Sequence, residues 1–181
     1  MPAADADLIE IDGKSALRFE RRFSQSQERV WRALTDPADL PAWHPSPFTG
    51  DLEVGATLVF DSSWIADGVV THVDPIDRLG YRWGTEGDLL WELEPTGEGG
   101  TVLTLTHTFD DHLKAARDGA GWTVCLARLT NAVECTASEA AGSGEACHVP
   151  DWADLNAQYQ AKFGIDPAEA TPPPAQALAQ G

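Results

Sequence analysis

The chain has 181 residues, which is enough for one full domain with a modest extension, and its 12 basic and 29 acidic residues give a net charge of −17. An acidic surface repels phosphate backbones and anionic lipid headgroups, so we expect neither nucleic acid nor a membrane as a partner. Seven Trp and six Phe residues are a heavy aromatic load, which suits a core or a cavity walled by rings.

The sequence also carries signals about location. Its first residues lack the basic and apolar regions of a secretory signal, and no apolar run approaches the roughly 20 residues that a membrane span needs. Cys125, Cys135 and Cys147 are odd in number and scattered, which is typical of reduced thiols. Together these features predict a cytoplasmic protein.

The N-terminal part predicts a strand followed by two short helices. Residues 1–14 are expected to be a flexible N-terminus, and residues 15–23 alternate weakly between apolar and polar side chains, as a strand does. Ser24 or Ser26 is placed to cap the next helix. Asp36–Pro37 has the form of a second helix start, with an acidic cap before a proline at the first helical position.

From residue 51 onward, turn-forming Gly, Pro and Asp residues recur at the spacing of an antiparallel meander. The last strand is the clearest, because it places four alternate side chains on one face: Leu103, Leu105, His107 and Phe109. A sheet with one apolar face needs a cover from another element.

A long helix after the last strand is the predicted cover. Gly121–Trp122 lies near its expected start, Gly142–Ser143–Gly144 ends it, and apolar residues recur between them at helical spacing. Pro150–Asp151 then opens a short helix whose apolar side we expect to pack on the domain, since an isolated helix of this length is marginal in water.

Four segments in this order resemble the START-like (SRPBCC) superfamily, and within it the branch related to the C-terminal domain of the activator of heat-shock protein 90 ATPase. The segments read VWRALTDP, DGVVTHVDPIDRLGYRW, GTVLTLTHT and GWTVCLARLTNAVE. The resemblance implies an α+β helix-grip fold. In that fold a curved antiparallel sheet of about six or seven strands surrounds a long C-terminal helix, and two short helices follow the first strand.

The residue patterns, together with the extent of the resemblance, divide the chain. We expect a START-like domain over residues 15–141 after the flexible N-terminus of residues 1–14. An extension with a short helix over residues 142–165 and a disordered tail over residues 166–181 follow it.

The superfamily shares a cavity between the sheet and the long helix but no common catalytic set. Six residues are therefore predicted to line the cavity and bind a ligand: Phe60, Trp83, Trp91, His107, Trp122 and Leu126. The sequence shows no phosphate loop, metal-ligand motif or nucleophile elbow. We accordingly predict no catalytic residues, no cofactor and no metal.

His107 is the residue nearest to chemistry, because it shares a face with apolar side chains that point toward the covering helix. A neutral imidazole there would orient a ligand carbonyl or act as a base. The alternative is a core histidine bonded to a backbone carbonyl or a neighbouring hydroxyl, since buried polar groups are normally paired.

The hypothesis for function is the non-catalytic binding of a small hydrophobic or amphipathic molecule, such as a lipid, in this cavity. One alternative is a protein-interaction module that binds a chaperone or another protein, which needs an exposed apolar patch rather than a cavity. The other is an aromatic polyketide cyclase or dehydratase, which needs several polar groups converging inside the cavity.

Overall fold

A computed structural model describes residues 4–135 and 148–173 of the chain. Its described part contains one antiparallel sheet of eight strands. They are β1 (Asp7–Ile11), β2 (Lys14–Phe23), β3 (Phe48–Thr49), β4 (Thr57–Phe60), β5 (Gly68–Asp74), β6 (Arg78–Arg82), β7 (Asp88–Pro95) and β8 (Thr101–Phe109). Their order across the sheet is β1-β2-β8-β7-β6-β5-β4-β3, so the last strand pairs with the first long strand.

The helices are α1 (Gln27–Thr35), α2 (Ala115–Glu134) and α3 (Trp152–Phe163), with 3-10 turns at Leu40–Ala42 and His112–Lys114. Residues on one face of β8 are buried from Leu103 to Phe109, and α2 covers that face with Trp122, Leu126, Leu129 and Val133. The helix-grip fold is therefore confirmed, with one or two strands more than expected.

Strand β1 lies where the sequence analysis expects a flexible N-terminus. It pairs with β2 from Asp7 opposite Arg18 to Ile11 opposite Lys14, through a turn in which Asp12 and Gly13 both have positive φ. Ile9 and Ile11 remain exposed on this edge strand. Pairing with β2, with the half-buried Leu8 packed against the core, therefore orders the segment.

The second short helix is reduced to the 3-10 turn at Leu40–Ala42. Asp36, expected to cap a new helix, instead ends α1, and its Oδ1 accepts a hydrogen bond from the backbone N–H of Ala38 at 2.9 Å. Pro45 and Pro47 follow the turn and lack the backbone N–H groups that a longer helix would need. Ser26, one of the two expected caps, does cap α1 by accepting from the N–H of Arg29.

Helix α2 begins at Ala115, earlier than its two internal glycines suggest. A Cβ on Gly119 would lie 3.1 Å from ring atoms of Tyr159, so this glycine allows α3 to pack closely on α2. The glycine pattern thus marks a helix–helix contact and not a helix start. The expected end at Gly142–Ser143–Gly144 lies outside the described residues.

Helix α3 packs the C-terminal extension against the N-terminal segment and against α2. Asp151 caps it, as predicted, and the Tyr159 hydroxyl accepts from the backbone N–H of Ala6 at 3.1 Å while lying 2.8 Å from the Thr123 hydroxyl. Lys162 Nζ donates to the carbonyl oxygens of Ala4 and Ala6. The extension therefore packs on the domain.

The first residues of the predicted disordered tail also make contacts. Ala170 packs against the core, and the backbone N–H of Thr171 donates to the Leu113 carbonyl at 3.2 Å. Residues 166–173 therefore follow a defined path beside α2, whereas residues 174–181 of the predicted tail lie outside the described residues.

The expectation of three reduced cysteines is wrong for Cys135, which is disulfide-bonded. Cys125 is a free, buried thiol, and Cys147 lies outside the described residues. A disulfide is stable in an oxidising compartment, so the cysteines no longer support the predicted cytoplasmic location. Within the described residues, no helix has the length and apolar character needed to cross a membrane.

Candidate functional site

A cavity of about 100 Å³ lies where the end of β6 meets the first half of α2 and the C-terminal extension. Its wall combines tryptophan rings, an ion cluster, and two prolines that come from the loop after the Leu40–Ala42 turn and from the C-terminal extension. The lining residues are Pro45, Trp64, Trp83, Glu86, Arg117, Asp118, Gly121, Trp122, Cys125, Trp152 and Pro173.

Tryptophan rings form the apolar part of the wall. The rings of Trp83 and Trp122 lie 5.2 Å apart between centroids, and Trp64 packs edge-on against Trp83 at 5.6 Å. Gly121 leaves this region open, because a Cβ there would meet only the indole nitrogen of Trp152, at 4.0 Å. The extension closes the other side with Trp152 and Pro173.

Of the six residues predicted to bind a ligand, Trp83 and Trp122 line this cavity. Phe60, Trp91 and Leu126 are buried in the surrounding core and are not among its lining residues. The indole N–H of Trp91, for example, donates to the Tyr81 hydroxyl at 3.3 Å. The sheet and α2 thus bring two of the six predicted residues to the cavity wall.

His107 lies behind the wall with both ring nitrogens bonded to the protein. Its Nε2 is 3.0 Å from the Glu86 carbonyl oxygen, and its Nδ1 is 3.1 Å from the indole nitrogen of Trp122. A carbonyl only accepts and an indole N–H only donates, so Nε2 carries the proton and the imidazole is neutral. Burial lowers the pKa of His107, although the nearby Asp118 carboxylate opposes the shift.

A second buried histidine, His44, escaped the sequence analysis. Its Nδ1 accepts from the backbone N–H of Ser46 at 3.1 Å, and its Nε2 lies 3.0 Å from the Tyr81 hydroxyl. Burial lowers its pKa to about 3 and raises the pKa of Tyr81. His44 sits in a proline-rich loop, where no periodicity reveals which way a side chain points.

An ion cluster forms the polar part of the wall, and its members were also missed. Arg117 Nη2 lies 2.6 Å from Glu86 Oε2, Arg117 Nε lies 2.6 Å from Asp118 Oδ1, and Lys114 adds a longer contact to Glu86 at 3.5 Å. Burial alone would raise the pKa of Glu86, but the hydrogen bond and charge of Arg117, with Lys114, leave it below its ordinary value.

The ion cluster places charged side chains beside the cavity. Among the described residues, no group of three or more His, Cys, Asp or Glu side chains is arranged to hold a metal ion. The cluster instead provides carboxylate acceptors and guanidinium donors next to an apolar wall, an arrangement that orients a polar group of a ligand.

This sheet, the gripped helix and the cavity between them define a START-like (SRPBCC) protein. The chain belongs to the family described as activator of Hsp90 ATPase homolog 1-like protein, whose model matches residues 24–134. The extension that carries Trp152 and Pro173 lies beyond that match.

Several solved structures share the fold. Protein EF2215 of unknown function from Enterococcus faecalis is 21% identical, with a TM-score of 0.73 over 88% of this chain and 91% of its own. CalU16 from Micromonospora echinospora is 20% identical, with a TM-score of 0.68 over 89% and 98%. The Aha1 dimer from Colwellia psychrerythraea is 21% identical, with a TM-score of 0.57 over 71% and 98%.

DynU16, a protein of the dynemicin biosynthetic locus, is 28% identical to this chain, with a TM-score of 0.56 over 63% of this chain and 45% of its own. No curated protein gives a significant match to the chain.

Proposed function

We propose that this protein binds a small hydrophobic or amphipathic molecule in the cavity between the sheet and the long helix, without catalysing a reaction on it. The observation that carries the proposal is the wall of three tryptophans, Trp64, Trp83 and Trp122, around a cavity that the extension covers. Ligand pockets are lined mainly by apolar and aromatic side chains with a few placed polar groups, and this cavity has both.

The size of the cavity limits the ligand. Its volume of about 100 Å³ is below the roughly 150 Å³ of an engineered cavity that admits benzene, and well below the ~300–1,000 Å³ of sites for drug-sized molecules. A fatty acid does not fit while Trp152 and Pro173 stay in place. We therefore expect the bound group to be one ring in size, with a small movement of the cover on entry.

The chemistry of the nearest side chains supports binding over catalysis. Both nitrogens of His107 are bonded to protein groups, so it has no free lone pair with which to act as a base. Burial raises the pKa of the Cys125 thiol to about 12, which keeps it protonated at neutral pH and a poor nucleophile.

A cyclase or dehydratase is the second candidate, and the ion cluster of Glu86, Arg117 and Asp118 favours it. These groups converge on one wall of the cavity, as a site for proton transfer to a polyketide requires. DynU16 is a protein of a biosynthetic locus, and the aromatic polyketides of the cyclase hypothesis form the substrate panel. Formation of a new product with such a panel would favour this candidate over simple binding.

Gly121 offers a sharp test of the binding proposal. Gly121→Leu should fill the cavity, whereas Gly121→Ala adds only a methyl group in open space and serves as the matched control. We expect toluene and benzaldehyde to raise the Tm of the wild type and of Gly121→Ala but not of Gly121→Leu. If neither probe binds the wild type by calorimetry or shifts its Tm, the binding proposal fails and a chaperone or other protein partner becomes the next hypothesis.

A further inference from the structure

Trp152 lies between the cavity and a second, larger space at the surface. The second space is a groove of about 570 Å³ between α2 and the start of α3. Part of its wall is apolar and is formed by Val124, Val149, Pro150 and Leu155. Among the described residues, Trp152 is the one that lines both the groove and the cavity, so the two spaces meet at this side chain.

Trp152 is also the tryptophan of the cavity wall that the fewest polar and ring contacts hold in place. The ring of Trp83 lies 5.2 Å from that of Trp122 and 5.6 Å from that of Trp64. In the part of the chain that the structure describes, Trp152 pairs with no other ring and its indole N–H has no hydrogen-bond partner. It is half-buried, at the first residue of α3. Its indole can therefore move aside at a lower cost than the other three.

Arg128 brings a positive charge to the groove. It lines the groove and is half-buried, yet within the described residues it makes no hydrogen bond and no ion pair. The other half-buried arginines of the described residues, Arg21, Arg29 and Arg117, each bond a carboxylate. In a chain with 29 acidic residues, Arg128 is thus a guanidinium whose donors are open to a ligand.

The position of Arg128 on α2 brings its charge close to the cavity. Cys125, which lines the cavity, is three residues before Arg128, and side chains at this spacing are neighbours on a helix. Burial raises the pKa of the Cys125 thiol to about 12, and the charge of Arg128 opposes this rise. The guanidinium therefore lies within electrostatic range of the cavity wall.

We infer that the ligand is an amphipathic carboxylic acid with one aromatic ring, and that it occupies both spaces. Its ring enters the cavity, its chain passes the displaced Trp152 into the groove, and its carboxylate pairs with Arg128. This inference rests on the proposed function and specifies the class of ligand.

The acidic residues of the groove leave room for a carboxylate at Arg128. Asp151 and Asp154 also line the groove, but neither forms an ion pair with Arg128. Asp151 caps α3 by accepting from the N–H of Asp154 at 3.0 Å, and the helix N-terminus offsets its charge. Asp154 is exposed, so water and salt screen it. A neutral acceptor would avoid their repulsion but would forgo the paired bonds that a guanidinium gives a carboxylate.

The first test measures how the wild type binds phenylacetate, 3-phenylpropanoate, 4-phenylbutanoate and 5-phenylpentanoate, each beside its neutral amide. Calorimetry should show that affinity rises with chain length until the carboxylate reaches Arg128. At that length the acid should bind about tenfold or more tightly than its amide. Equal affinities of acid and amide at every length would overturn this inference, and binding of toluene would then leave the binding proposal intact. If neither toluene nor any acid binds, both fail.

Arg128→Gln tests the contact with the carboxylate. It should reduce the advantage of the acid over the amide severalfold, and because Arg128 has no polar partner in the described residues, the change leaves none of them unpaired. Arg18→Gln is the matched control, since it removes the same charge from an exposed position on β2 that does not line the groove. Equal losses in the two variants would mean that only the overall charge matters, which would overturn the contact.

Trp152→Ala tests the passage between the two spaces. Without the indole no side chain has to be displaced, so the affinity for the best acid, relative to that for toluene, should rise severalfold. Trp152→Phe should give a smaller rise and provides the test if Trp152→Ala does not fold. If the ratio of the two affinities stays at its wild-type value in these variants, Trp152 is only part of the wall and the ligand does not pass it.

Discussion

The indole N–H of Trp122 donates a hydrogen bond to Nδ1 of His107 at 3.1 Å. This bond joins the first half of α2 to β8, and it is one of the contacts between the long helix and the sheet beside the cavity. Because the opposite nitrogen of His107 donates to the Glu86 carbonyl, the imidazole also holds the turn that carries Glu86 into the ion cluster. His107 therefore positions two parts of the wall without lining the cavity itself.

His107→Ala should therefore destabilise the protein. The substitution leaves the Trp122 N–H and the Glu86 carbonyl unpaired and opens a cavity, at a cost of about 2–5 kcal/mol in the free energy of unfolding. The Tm should fall by about 10 °C for a chain of this length. His72→Ala, at an exposed position on β5, is the control and should change the Tm little. A nearly unchanged Tm for His107→Ala would support the role in ligand selection instead.

The two buried histidines should make the protein acid-sensitive. Burial lowers the pKa of His44 to about 3 and lowers that of His107, whereas an unfolded histidine has a pKa of about 6.5. Below that value the unfolded state binds protons that the folded state rejects, so stability is present above pH 6.5 and is lost as pH falls. Between pH 7.5 and 5.5 His44 should remove about 1.4 kcal/mol from the free energy of unfolding, and His107 should add a loss of the same sign.

Urea unfolding at the two pH values measures this loss directly. His44→Phe should reduce the slope, because it removes one titrating group, although its absolute stability will also change with the lost hydrogen bonds. A free energy of unfolding that stays constant between pH 7.5 and 5.5 would contradict the burial of neutral imidazoles at these positions.

The sequence predicted the parts of the fold that depend on local periodicity. The alternation in β8 and the helical spacing of Trp122, Leu126 and Leu129 reflect burial on one face, and this signal is present in the sequence itself. Strand β1 was missed because its apolar residues Ile9 and Ile11 stay exposed. Its order comes from pairing with β2, which no local pattern records.

The candidate site was predictable only in its apolar half. Trp83 and Trp122 lie on elements whose faces the pattern reveals. Glu86, Arg117 and Asp118 come together because a glycine-rich turn meets the first turns of α2, and the sequence placed the start of that helix too late. Contacts of this kind depend on loop geometry and on long-range packing, so residue spacing along the chain does not reveal them.

Replacing each of the two glycines of α2 with alanine should change the stability of the protein in opposite directions. Gly121→Ala places its methyl group in open space and should stabilise the protein by about 0.5–1 kcal/mol through helix propensity and a less flexible unfolded chain. Gly119→Ala should destabilise it, because the Tyr159 ring is held by its hydroxyl contacts to Ala6 and Thr123 and cannot easily move from the new methyl group. Urea unfolding of both variants at one pH makes the comparison, and a gain at both positions would contradict the close packing of α3 on α2.

Tyr159→Phe should loosen the connection between the extension and the N-terminal strand. The phenol oxygen accepts from the backbone N–H of Ala6 and contacts the Thr123 hydroxyl, and phenylalanine keeps the ring while removing both. The variant should lose about 1–2 kcal/mol in the free energy of unfolding. Hydrogen exchange at the amide of Ala6 should also become faster, because that buried N–H no longer has its acceptor. Ala157→Ser, at an exposed position of α3, is the control. If the amide of Ala6 exchanges at the wild-type rate in Tyr159→Phe, the extension is not held to the N-terminal segment by this hydroxyl, and Lys162, whose ammonium donates to the carbonyls of Ala4 and Ala6, must supply the connection.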